Sequence, residues 1–216
     1  MEIIYQDKRI LVAIKPAGVL STDEPGGMPE LLRKELGDEK ACVRTVHRLD
    51  QTVSGLMVFA RSREASRILS DQMQSRRFHK EYLAVIHGVP DKKHGTFTDL
   101  LLRKKEERKT YVVSEPEKGA QEAVLDYEVL DTKDDLSLVK ILLHTGRTHQ
   151  IRVQFSSRNL PLVGDRKYGT QDGAQNIALW SHRLCCSHPE TGESMDFSAL
   201  PPQQEPWTRF SLVDKR

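Results

Sequence analysis

"VHRLDQTVSGLMVFARS", residues 46–62, decides how this chain is read. Polar side chains crowd together at His47, Arg48, Asp50, Thr52 and Ser54, and the run then opens into the apolar residues 56–60. An apolar run that short, bounded by small and polar residues, predicts a buried strand. Ser62 is placed to cap a helix in which Ala65, Ile68, Leu69 and Met73 recur at helical spacing. A polar loop just ahead of a buried strand belongs at the rim of a sheet, where it can present one carboxylate, Asp50, to a cleft. The blander alternative is that Asp50 closes a turn and Arg48 makes a surface ion pair.

Working outward, residues 3–14 read as a hairpin of two strands, and "KPAGVLS" breaks the second strand with Pro16 and Gly18. "MPELLRKELG" reads as a short helix stopped by Gly37, and "KEYLAVIHG" as a strand that places Tyr82. Residues 96–111 have a charged hairpin pattern, and residues 90–122 as a whole are the most loop-like stretch, a candidate inserted or mobile element. "AVLDYEVL" and "LSLVKILLH" read as strands joined by an acidic turn over 131–135. "TGRTHQIRVQF" reads as a turn and short helix with Ile151 and Phe155 inward, and "IALWSHRLCCSHP" and "ESMDFSALPP" as closing strands. Many strands, few helices and hairpin-length turns predict an α+β fold with a largely antiparallel mixed sheet flanked by helices. With no repeat or linker, residues 1–216 are expected to form a single domain.

The 216 residues carry 38% hydrophobic and 30% charged side chains, the balance of a globular domain. No apolar run approaches the roughly 20 residues of a membrane span, so no membrane association is expected. Three cysteines, two of them adjacent, form no disulfide framework, and the start shows no secretory pattern; the expected location is cytoplasmic. The net charge of +2 hides local surpluses: residues 61–82 carry six Lys and Arg against three acidic residues, and "RKKEERK" at 103–109 carries five against two. Such clusters suit a polyanion, and also a merely solvated face.

Several chemistries drop out. The histidines and cysteines lack metal-ligand spacing, no phosphate-binding glycine loop is present, and no serine lies in a nucleophile elbow. A phosphoaspartate reading of "DQT" lacks its second carboxylate. What survives is the Asp50 loop, the aromatic Tyr82, the guanidinium groups of Arg147 and Arg152 near a helix start, and basic outer faces. An enzyme that flips a base out of RNA, stacks it on a ring and holds a charged carboxylate beside an arginine could use that set.

In "VHRLDQTVSGLMVFARS", "KEYLAVIHG", "HTGRTHQIRVQF", "LPLVGDRKYG" and "LWSHRLCCSHPETGESMDFSALPP", taken together and in order, the chain resembles the RluA-type RNA pseudouridine synthases over nearly its whole length. The resemblance implies isomerisation of uridine to pseudouridine in structured RNA, rRNA or tRNA, without metal or cofactor. It makes Asp50 the nucleophile, or the group that stabilises the detached sugar. Arg48 becomes the residue that enters the RNA stack, and Tyr82 the ring that packs on the uracil. By the same carry-over an arginine of the third motif pairs with Asp50, Arg152 being favoured over Arg147. Arg147 and His47 are expected among the RNA-binding residues, with His47, Thr52 and Ser54 also expected to hold the loop by local hydrogen bonds, and Leu56 and Ile151 in the uracil pocket. The S4-like RNA-binding domain of many relatives is not expected at the N-terminus, and a monomer is expected. Val53 stands where the family usually has threonine, and "AVLDY" carries Asp126 at another usual threonine. Two competing readings remain: a catalytically silent RNA-binding module, and a hydrolase, for which no water-activating base is found.

Overall fold

A computed structural model describes residues 1–169 and 171–211. The chain forms two compact units: residues 1–80 with 180–199, and residues 81–179 with the C-terminal segment from residue 200.

The first unit begins with the expected hairpin, β1 (Ile3–Gln6) antiparallel to β2 (Ile10–Lys15). Asp7 closes it, its Oδ1 accepting the backbone N–H groups of Arg9 and Ile10. The helix α1 (Met28–Glu35) follows, begun by Pro29 in its first turn and ended before Gly37, whose φ of 66° suits a residue without a Cβ. A two-residue strand, β3 (Arg44–Thr45), leads through the polar loop into β4 (Ser54–Ala60). Residues 55–60 are all buried. Leu56, Val58 and Ala60 join Ile10, Val12, Ala65, Leu69, Leu184 and Phe197 in one core cluster. Met57 and Phe59 on the opposite face are also fully buried, which is why the strand is a continuous apolar run rather than an alternating one. The helix α2 (Arg63–Gln74) is capped as expected, the Ser62 hydroxyl accepting the N–H of Ala65 at 3.0 Å. Of the closing strands, β10 (Leu179–Ser187) runs parallel to β4, and β11 (Ser194–Ser198) runs antiparallel to β10.

The second unit is antiparallel. Its strands are β5 (His79–His87), β6 (His94–Lys104), β7 (Lys109–Val113), β8 (Gln121–Lys133) and β9 (Leu136–Leu143), paired in the order β5-β9-β8-β6-β7. The helix α3 (Gln150–Ser156) packs on β6 and β7. Phe155 sends its ring against Phe97 and Tyr127, with centroids 5.1 and 5.9 Å away. Val153 sits against Leu101 and Ala123.

Two expectations need correction here. Residues 90–122 are not a loop-like insert: the hairpin expected over 96–111 is there as β6 and β7, with Phe97 and Leu101 of β6 turned to the same face and buried. The acidic turn is also shorter than 131–135. Strand pairing continues to Lys133, and only Asp134 and Asp135 turn, both at positive φ as a two-residue hairpin requires.

Both units fit the α+β expectation, and the strand pairs described within them are antiparallel except β10 with β4.

Candidate active site

Asp50 lies in the loop between β3 and β4, held by backbone contacts on either side of it. On one side, buried Ser21 clasps Leu49: its hydroxyl donates to the Leu49 carbonyl at 2.8 Å and accepts the Leu49 N–H at 3.0 Å. On the other, the Gln51 carbonyl accepts the N–H of Gly18 at 2.8 Å and the Nζ of Lys15 at 3.0 Å, while Gln51 Nε2 donates to the Gly18 carbonyl. The N–H of Val53 closes the turn onto the Asp50 carbonyl at 3.0 Å. A carboxylate between two such anchors cannot drift with its backbone, which is the preorganisation a reacting group needs.

Lys15 is the unexpected member. It ends β2 with no exposed surface, and its ammonium donates to the carbonyls of Pro16 and Gln51. Burial pushes its pKa down to about 8, against the pull of the Asp50 charge, which favours the ammonium. "KPAGVLS" and "HRLDQTVSG" are therefore one structural object: the first is the platform on which the second rests. The only hint in the sequence is a lysine attached directly to an apolar strand.

His47 is a strut. Its ring is buried against Phe78, Nε2 accepts the Val58 N–H at 3.0 Å, and burial, with the Lys80 charge second, drives its pKa down to about 3. A neutral ring that accepts the N–H of Val58 ties the loop to β4. Leu56 is wholly buried in the cluster under α2, because strand alternation turns it to that face. Arg48 points the other way: it is exposed and makes no hydrogen bond or ion pair among the described residues.

Gly55 explains why the loop ends in glycine. At φ 117°, a Cβ there would lie 2.5 Å from the backbone N and O of Ser181, so only glycine lets β10 lie alongside.

In the second unit, Tyr82 is 5% exposed on β5 and sits opposite Ile141 of β9. Arg152 lies in the first turn of α3, as expected, with Ile151 buried beside it. Its guanidinium is gripped by Asp165, Nε to Oδ2 at 2.8 Å and Nη2 to Oδ1 at 2.7 Å. Burial pushes the Asp165 carboxyl up, but the Arg152 hydrogen bonds and charge, with the N–H groups of Lys167 and Tyr168, leave its pKa below the usual carboxylate range. The Tyr168 ring lies 5.2 Å from the Arg152 guanidinium. Asp165 and Tyr168 thus fix the orientation of Arg152, and both were quoted in "LPLVGDRKYG" without a role. Arg147 sits in the turn before the helix, half-buried, with Nε donating to the Glu122 carbonyl at 2.9 Å. Among the described residues, no group of histidine, cysteine and acidic side chains could hold a metal ion.

The family model described as RNA pseudouridylate synthase matches residues 9–157, the stretch that includes the Asp50 loop, Tyr82 and Arg152. The chain belongs to that family. Among relatives, it is 35% identical to the dual-specificity RNA pseudouridine synthase RluA of Yersinia pestis, over 91% of this chain and 97% of that protein. It is also 35% identical to the uncharacterized RNA pseudouridine synthase YhcT of Bacillus subtilis, of whose length it spans 66%, against 89% of its own. The fold is similar to that of the solved human RNA Pseudouridylate Synthase Domain Containing 1, with a TM-score of 0.79 at 25% identity, covering 94% of this chain and 84% of the other. RNA pseudouridine synthases are isomerases, and the RluA-type resemblance of the five motifs stands. No helix among the described residues of this synthase is long and apolar enough to cross a membrane.

Proposed function

We propose that this synthase isomerises a uridine in structured rRNA or tRNA, with Asp50 as nucleophile and the target base flipped out of its helix. One observation carries the reading: Asp50 stands between two doubly anchored residues while its neighbour Arg48 is exposed and uncommitted. In that reading the C1′–N1 glycosidic bond breaks while Asp50 attacks or stabilises the sugar. The uracil rotates, C5 bonds to C1′, the C5 proton leaves to solvent and N1 takes one up. Arg48 fills the stack left by the flipped nucleotide. Tyr82 packs on the uracil, Ile151 lines its pocket, Arg147 contacts RNA, and Arg152 is the arginine partner of Asp50. Residues 1–216 work as one catalytic domain. The names of relatives support both substrate classes, since they include a tRNA pseudouridine synthase C and a ribosomal large subunit pseudouridine synthase D.

The test is pseudouridine mapping by carbodiimide modification and primer extension, on RNA from cells with the gene intact, deleted, or carrying Asp50→Asn. A uridine whose modification disappears in both altered strains, with Asp50→Asn protein still binding that RNA in vitro, is the expected outcome. Full modification in the Asp50→Asn strain overturns the nucleophile assignment.

A further inference from the structure

Asp165, which grips Arg152, stands at the start of a loop whose two ends are seated on one residue of β5. The Val163 N–H donates to the Val85 carbonyl at 2.9 Å, the Val85 N–H to the Ala178 carbonyl at 3.0 Å, and the Ala178 N–H to the Val163 carbonyl at 2.8 Å. A loop closed at its neck in this way is held inside by its own side chains. Gly164 is the first residue past the neck, and Asp165 the second.

Asp172 is turned back toward that neck. Its Oδ2 accepts the Gly164 N–H at 2.8 Å and lies 2.7 Å from Nε2 of His87, the last residue of β5, while its Oδ1 accepts the Ala174 N–H at 3.1 Å. An ionised carboxylate only accepts, so Nε2 of His87 carries the proton in this contact. The Asp172 residue lies at the surface, yet its side chain is only 14% exposed. Desolvation pushes its pKa up, but the Gly164 N–H, His87 and the Ala174 N–H leave it below the usual carboxylate range. An aspartate that merely capped a turn would need the Ala174 N–H alone. Here the other oxygen joins residues 8 and 85 positions back along the chain. One of them precedes Asp165 directly, and the other ends the strand that carries Tyr82.

We propose that Asp172 is a positioning residue for the reaction: by pinning the Gly164 N–H to His87 of β5, it holds Asp165 where that carboxylate aims the Arg152 guanidinium. The inference rests on the role given to Arg152 under the proposed function and extends it to a residue outside the five sequence motifs. Asp172 acts on Arg152 through Asp165. Its loss slows the chemical step and leaves RNA affinity alone, because a group aimed at the reacting centre contributes to rate rather than to ground-state binding.

The test uses the full chain and a stem–loop transcript containing a uridine that the wild-type protein converts. Three quantities are compared: the single-turnover rate, the Kd for RNA, and the NMR signal of the Arg152 Nε–H, assigned by its absence in Arg152→Gln. The variants are Asp172→Ala, Asp165→Asn, the two combined, and Asp38→Ala, which removes an exposed carboxylate that accepts the Lys40 N–H in another turn. Asp172→Ala should lower the rate at least about tenfold with Kd within about threefold, and its Arg152 Nε–H should exchange faster with water. Asp38→Ala should match the wild type in all three. Combined with Asp165→Asn, Asp172→Ala should lower the rate no further, since one path carries both effects. A carboxylate serving only loop stability would leave the Nε–H signal of the folded protein in place and would add its loss to that of Asp165→Asn. A wild-type rate or an unperturbed Arg152 signal in folded Asp172→Ala, or additive losses, overturns the positioning role. If Asp172→Ala does not fold, the same readings are taken on Asp172→Asn, which keeps the size and one acceptor oxygen and should show the same split to a smaller extent. A wild-type rate in Arg152→Gln would count against the role given to Arg152 instead, while the Nε–H comparison, which needs no turnover, would still decide whether Asp172 holds the guanidinium.

Discussion

Lys15 shows how one residue can be both costly and necessary. Its ammonium lies out of water, yet two carbonyls and the Asp50 charge surround it. Lys15→Ala leaves the Pro16 carbonyl without that donor, thins the bonding at Gln51, and opens a cavity. It is expected to cost about 2–4 kcal/mol of unfolding free energy by denaturant titration. Asp165 has a similar standing: Asp165→Asn removes the charge that steadies the buried Arg152 guanidinium, and should cost about 3–5 kcal/mol, as breaking a buried pair from one side does. These residues were the hardest to read from the chain. Lys15 and Asp165 gain a role only when distant segments meet, whereas Asp50, Arg48 and Tyr82 stand in two of the ordered motifs that carry the family resemblance.

At the scale of elements, α2 and α3 draw stability from different sources. The α2 cap is local, one hydroxyl and one N–H, and Ser62→Ala should cost about 1 kcal/mol in thermal or chemical unfolding. The seven residues of α3 are too few to be stable alone, and it is held by Phe155 among the rings of Phe97 and Tyr127. Phe155→Ala should therefore cost about 3–5 kcal/mol and loosen the segment that carries Arg152, seen as faster amide exchange in α3. The cap and the helical spacing of α2 were legible from residues 62–73. The hairpin of β6 and β7 was half-legible: residues 96–111 had a hairpin pattern, while the wider stretch 90–122 read as a loop, and burial of Phe97 and Leu101 on one face decided for strand.

For the whole molecule, the response to acid follows from two buried groups. His47 has a folded pKa of about 3 against an ordinary value near 6.5, so between those limits the unfolded chain binds a proton that the folded protein refuses. Stability is present above about pH 6.5 and is lost as pH falls, with a slope reaching about 1.4 kcal/mol per pH unit from this residue. Asp165, lowered in the folded state, adds to the loss only at lower pH, below the ordinary carboxylate range. Urea titrations from neutral pH down to about 4 should show this decline, and His47→Asn should flatten it by close to one proton. An unchanged profile in that variant would show that His47 titrates normally.

The sequence by itself determined the family, through its five ordered motifs, and also the α+β class and the order of nearly every element, because apolar periodicity, glycine stops and a serine cap act within a few residues of where they stand. It also determined the candidate Asp50, since a polar loop opening into a buried strand is a local pattern. Tertiary structure alone decided that Lys15 and Ser21 carry that loop and that His47 and Leu56 are buried supports. It alone decided that Asp165 and Tyr168 set the orientation of Arg152. The physical reason is common to these cases: a side chain's burial and its hydrogen-bond partners depend on residues far along the chain, and no spacing within a motif encodes them.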